Sequence, residues 1–191
     1  MRMDDLILLT LKYSDKHMIA GRTVFQKTLY FISQKMKLDL NFVAHYYGPY
    51  STQVTEQIAD LCASGIITEQ VEGFGSFSFG VAFEPRKYTY SLSEKGQEIA
   101  QLAEKRNPSA SKSIKQILEK MKELGTVDDY KSLSVAAKMH HILKSNGQMK
   151  PSEILNEAKA LDWNISTEEA EAATNFLLKM ELAKKVKHTE S

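Results

Sequence analysis

The sequence predicts a mainly α protein with a small antiparallel β wing, α+β in class, and three observations carry that prediction. Apolar residues recur at helical spacing through most of the chain, as in Val54, Ile58, Leu61 and Cys62. Capping and breaking residues such as Ser51, Gly65, Pro151 and Ser166 bound these stripes. Between Ile66 and Leu92 the pattern changes to β-branched and aromatic runs separated by glycine and proline turns.

Asp4 to Tyr13 is apolar almost all round, so it reads as a core helix, led by acids that suit its positive end. Gly21 marks a turn. Thr23 to Met36 forms a second helix with Phe25, Leu29, Ile32 and Met36 on one face, leaving Arg22, Gln26, Lys27 and Lys35 as its polar side. Asn41 to Tyr47 is a short β-prone stretch before Gly48-Pro49, which breaks the chain because proline fixes its own φ and restricts its predecessor. Ser51 or Thr52 then caps a third helix, and Gly65 ends it. Helix, glycine and an Ile66-Ile67 strand is how the recognition helix of a winged helix-turn-helix passes into its wing. Three β-like runs follow, Ile66 to Glu72, Phe77 to Phe83 and Lys87 to Leu92. Leu92-Ser93-Glu94-Lys95-Gly96 caps a further helix to about Lys105.

Asn107-Pro108 is the best boundary in the chain. The division it suggests is a winged helix-turn-helix domain over 1–106, a linker or dimerisation helix within 107–130, and a helical, helix-turn-helix-like bundle over 131–191. Ile114, Ile117, Leu118, Met121 and Leu124 form the stripe of the middle helix. Ser132 or Ser134 opens the next helix, which Asn146-Gly147 stops. Pro151 opens another, with Ile154, Leu155, Ala158 and Leu161 inside, and the capping box Ser166-Thr167-Glu168-Glu169 opens the last. The two halves rhyme: Leu61 to Ile67 and Leu177 to Ala183 each pass from helix toward strand after a helix-turn-helix of similar length.

Composition narrows the function. Lys and Arg number 25 against 24 Asp and Glu, a formal net charge of +1, the near-neutral balance of an ordinary soluble protein. No apolar run approaches the ~20 residues that span a bilayer, and the N-terminus lacks a signal-peptide cleavage pattern, so the expected location is the cytoplasm. With a single cysteine, Cys62, neither an intramolecular disulfide nor a cysteine metal cluster forms. There is no phosphate-binding glycine loop, nucleophile elbow or zinc-ligand spacing, and His140 and His141 point about 100° apart on one helix. The expectation is a non-enzyme with no catalytic residue, metal or cofactor.

Three stretches carry a family resemblance: Gly21-Arg22-Thr23-x-x-Gln26-Lys27-x-x-Tyr30, His45-Tyr46-Tyr47-Gly48-Pro49-Tyr50-Ser51, and Leu61-x-x-x-Gly65-Ile66-Ile67. Together they resemble the YwgA-like winged-helix proteins, themselves similar to the Panacea-type antitoxin domain. Ala136-Ala137-Lys138-Met139-His140 and Leu161-Asp162-Trp163 are similar to the tail of archaeal members. The resemblance implies a regulatory winged helix, with toxin neutralisation for the antitoxin relatives, and no catalytic residues.

A regulator of this kind is expected to bind DNA as a dimer, which suits paired half-sites, or to bind a protein instead. For DNA, Thr52, Gln53 and Gln57 would face base edges, and Arg22, Gln26, Lys27, Arg86 and Lys87 the backbone. Against this, the third helix exposes Glu56 and Asp60 and no cation. For a protein partner, Phe77, Phe79, Val81 and Phe83 alternate on one wing face, an aromatic rather than basic wing. Lys184, Lys185, Lys187 and His188 read as a solvated basic end.

Overall fold

A computed structural model describes residues 1–73, 86–125, 129–147 and 149–184. Eight α-helices and a three-stranded antiparallel sheet make up its regular structure among those residues. The Phe77 to Phe83 run and Lys185, Lys187 and His188 lie outside them.

Helix α1, Met3–Tyr13, is buried along most of its length, as its continuous apolar composition requires. Its buried acid, Asp5, accepts hydrogen bonds from Arg106 (2.5 Å) and Asn107 (3.0 Å), which pins the start of α1 to the junction of two later helices. Strand β1, Met18–Ala20, is absent from the sequence reading; three residues are too few to display a period of two. It pairs with the last strand through Ile19 and Tyr90.

Helices α2, Arg22–Met36, and α3, Thr52–Ala63, follow the expected boundaries. Between them the β-prone stretch contributes a single bridge, Val43 to Tyr50, rather than a strand. The Ser51 hydroxyl accepts from the Val54 amide as the N-cap of α3 and donates to the Leu40 carbonyl at 2.5 Å. Burial of Val54, Ile58 and Leu61 then holds α3 in place, each side chain contributing roughly 1.5–3 kcal/mol. Strands β2, Ile67–Gly73, and β3, Arg86–Leu92, pair from Ile67 opposite Leu92 to Gly73 opposite Arg86, and the sheet order is β1-β3-β2. Tyr90 and Leu92 turn inward from β3, as their alternation predicts.

Helix α4, Glu94–Arg106, opens on Ser93, whose hydroxyl accepts from Gly96 N–H and reaches the Gly65 and Ile66 carbonyls. Gly96 is required there: a Cβ would stand 2.1 Å from the Ile66 carbonyl oxygen. Only Asn107 separates α4 from α5, Pro108–Glu123. The apolar stripe of α5, Ile114, Ile117, Leu118 and Met121, is buried, and the helix packs on α1, α2 and α4.

Helix α6, Tyr130–Asn146, begins ahead of the serines expected to open it, because Asp129 is its cap and the Ser132 hydroxyl donates to that carboxylate. α6 lies against α2, and α7, Pro151–Ala160, and α8, Thr167–Lys179, pack on α6. The Ser166–Glu169 capping box is formed in both directions. Leu161 is largely exposed, and Trp163 takes the interior place instead.

The rhyme between the halves has a structural counterpart. Ile66 N–H donates to Leu61 O at 2.9 Å after Gly65, and Leu182 N–H donates to Leu177 O at 2.8 Å after Glu181. Both helices close with a left-handed residue and a six-to-one bond. After α8 the described chain continues as a turn, not a strand.

Candidate binding site

Two of the resembling stretches, Gly21 to Tyr30 and His45 to Ser51, meet at the turn that leads into α3, where Lys138 and Trp163 join them from the C-terminal half. Gly48, at φ +91°, takes a conformation that disfavours side chains, and the stems of Lys138 and Lys27 come within 3.0 and 3.4 Å of where a Cβ would stand. Its N–H donates to His45 O at 2.8 Å, closing the turn. Trp163, from the end of α7, donates its indole N–H to the same carbonyl at 2.9 Å. The C-terminal half of the chain thus closes on a turn built by the N-terminal half.

Gln26 and Lys27, expected on the polar side of α2, are buried because this turn folds over them and its backbone needs donors. Lys27 Nζ donates to Pro49 O at 2.7 Å. The Gln26 amide donates to Ser51 O and to the Thr55 hydroxyl, and accepts from Ser51 N–H, so it joins the cap of α3 to α2. Thr55 in turn donates to the Tyr50 hydroxyl at 2.7 Å. Burial, and then the charge of Lys138, push the Lys27 ammonium down to about 7. No carboxylate pairs with it among the described residues.

Arg22 remains exposed and stacks its guanidinium on the Tyr88 ring at 3.6 Å. Its Nε donates to the Tyr90 hydroxyl at 3.2 Å, and that hydroxyl donates to Glu69 at 2.5 Å. Burial, reinforced by Glu69, holds the Tyr90 phenol above its usual range; burial and Glu69 likewise push the Cys62 thiol up, so it stays protonated and unreactive.

Behind α3 these groups border a cavity of about 570 Å³, inside the ~300–1,000 Å³ range of small-molecule sites. In front, Thr52, Gln53, Glu56 and Asp60 are exposed, while Gln57 is half-buried. Arg86 and Lys87 are exposed at the start of β3. Of the candidate DNA contacts, then, Arg22, Thr52, Gln53, Arg86 and Lys87 are on the surface, and Gln26 and Lys27 are inside. Tyr46 and Tyr47, 67% and 59% exposed, meet edge to face at 4.9 Å on the turn, and Val43 is exposed as well.

Tyr30 and His140 form a second buried pair below this turn, with the hydroxyl 2.7 Å from Nδ1. Sequence reasoning did not single out Lys138, Trp163, Glu69 or Tyr90 for this site. A lone tryptophan within a resembling stretch was the available signal for Trp163.

No family model matches the chain. Over 86 residues it is 37% identical to a protein of Bacillus subtilis (strain 168). That relative is the uncharacterized protein YwgA. The match covers 44% of this chain and 46% of YwgA, so the chain spans under half the length of the relative it matches. The similarity supports a YwgA-like family, and YwgA's name carries no activity. Among the described residues no helix is long and apolar enough to cross a membrane.

Proposed function

We propose that this chain is a non-enzymatic winged-helix regulatory protein that acts by binding a protein partner, as an antitoxin or adaptor does. The observation that carries this reading is the surface around α3. Its outer face holds Glu56 and Asp60 and no lysine or arginine, and the segment that leads into the helix exposes Val43, Tyr46 and Tyr47. An acidic face repels the phosphates whose neutralisation supplies most DNA affinity. Exposed tyrosines beside it are the residues that anchor protein interfaces. The element order α1-β1-α2-α3-β2-β3 is the order a winged helix takes, which supports the fold assignment for residues 1–106.

DNA binding is the second reading, favoured by the exposed Thr52 and Gln53 at the start of α3 and by Arg86 and Lys87 on the hairpin. One experiment separates the two. The protein is tested against pooled genomic DNA fragments at low and near-physiological salt, and in parallel is used to capture proteins, with Tyr46→Ser/Tyr47→Ser as control. A protein held by the wild type and lost by the double variant supports the first reading. Enrichment of a few DNA sites that survives the salt increase overturns it in favour of a specific DNA regulator.

A further inference from the structure

The cavity behind α3 is built for something smaller than either partner. Its apolar wall is made by Phe25 from α2 and by Ile58, Ala59 and Cys62 from α3. Its charged lining is Arg22 and Lys27 against Glu69, and Glu69 is already engaged by the Tyr90 hydroxyl and lies 3.6 Å from Arg22. Lys27 therefore stands as a buried charge, 1% exposed, with a neutral carbonyl for its partner and a second lysine, Lys138, packed beside Gly48. His45, stacked 5.1 Å from Tyr50, adds an imidazole at the rim. A buried cation without a counter-ion is costly, and an anion delivered into an adjoining apolar space offsets that cost.

We propose that this cavity binds a small organic anion with an apolar body, its acid group held at Arg22 in the field of Lys27 and its body against Phe25, Ile58 and Cys62. Arg22 is the accessible donor: its side chain is 60% exposed, and its guanidinium, fixed in orientation by Tyr88 and Tyr90, presents a planar fork suited to an acid group. Lys27 lies beneath, and acts through its charge rather than by contact. Tyr47 of the exposed tyrosine pair also lines this cavity, so the bound anion lies next to the surface offered to a partner.

The probe is 1-anilinonaphthalene-8-sulfonate, an aromatic anion whose fluorescence rises on transfer to an apolar site, compared with N-phenyl-1-naphthylamine, which has the same body and no acid group. Folding of each variant is checked by circular dichroism. The expected result is one sulfonate bound per chain, at least roughly tenfold more tightly than the neutral amine. Arg22→Gln, on an exposed residue, should weaken the sulfonate about tenfold and leave the neutral probe within about twofold. Ala59→Trp, exposed on α3 at the cavity wall, should abolish both by filling the space. Absence of binding, equal affinity for the two probes, or an Arg22→Gln protein that binds the sulfonate as the wild type does would each overturn the proposal. So would binding that Ala59→Trp leaves intact, because the dye would then sit elsewhere.

Discussion

The Trp163 indole and the His45 backbone carbonyl meet at 2.9 Å across 118 positions of sequence, and this bond joins the α7 end to the turn that starts α3. Trp163 is almost fully buried while His45 is exposed, so the bond anchors a surface turn to an interior side chain. Replacing it by phenylalanine removes the donor and leaves a partial void. A loss of roughly 1–3 kcal/mol in urea unfolding followed by circular dichroism is expected. Hydrogen exchange should rise selectively at Val43, Gly48 and Tyr50, whose amides close the turn. A uniform rise across all helices would show that Trp163 contributes only general core packing.

Gly48 and Gly96 are irreplaceable for different reasons. At Gly48 the φ of +91° is strained for any L side chain, and a Cβ would also press on Lys138 at 3.0 Å. Gly48→Ala should therefore cost roughly 1–3 kcal/mol. At Gly96 the obstacle is backbone, since a Cβ would collide with the Ile66 carbonyl at 2.1 Å. Alanine there must push α4 off the start of the sheet and should be the more damaging of the two. Thermal melts of the two variants check the ranking.

Lys37 presents the opposite case. It ends α2 in the left-handed conformation, at φ +56°, and is exposed with no ion pair among the described residues. Glycine reaches this conformation freely, whereas an L side chain pays about 1 kcal/mol or more. Lys37→Gly is expected to raise stability by roughly 0.5–1 kcal/mol in denaturant titration. Ala59→Gly, exposed in the middle of α3, should lower it by a similar amount and serves as control.

Much of the fold was legible because its determinants lie close together in sequence. Ser51 with Val54, Ser93 with Gly96 and Ser166 with Glu169 are hydrogen bonds spanning three residues, so the residue types announce them. The left-handed ends at Lys37, Asp162 and Glu181 were not legible, since that conformation is advertised by identity at glycines such as Gly65, Gly125 and Gly147 and not by a lysine or an acid. Strand β1 exists through pairing with residues some seventy positions away. At the site, the composition of Gln26 and Lys27 points to solvent, and it took the turn over Pro49 to reverse that. Polar residues bury when backbone groups elsewhere need them, a condition that no local pattern reports.

His140 makes the protein acid-sensitive. Burial, then the charges of Lys144 and His141, lower its imidazole from 6.5 to about 4. An unfolded chain takes up this proton near pH 6.5 and the folded chain only near 4, so the unfolded state binds more protons between those values. The His140 contribution to stability is then full above about pH 6.5 and falls as pH drops toward 4, by up to roughly 1.4 kcal/mol per pH unit. His140→Gln should flatten this part of the pH profile even if it lowers the plateau. An unchanged slope would assign the acid sensitivity to other groups.

Lys27 acts at the other end of the scale, and with the same sign of slope. Its ammonium titrates at about 7 in the folded protein against 10.5 in the open chain, because burial and Lys138 disfavour the charge. Between those values the unfolded state again binds the extra proton, so stability rises with pH from about 7 toward 10. The bond to Pro49 survives the titration, since a neutral amine still donates. Lys27→Met removes both the titration and the donor. It should therefore lower stability at pH 9, where the wild type keeps its bond without the cost of a buried charge, by more than at pH 6, where that cost applies. Urea midpoints of the two proteins at the two pH values test the difference. A gap that is equal at both would mean that Lys27 carries no perturbed proton.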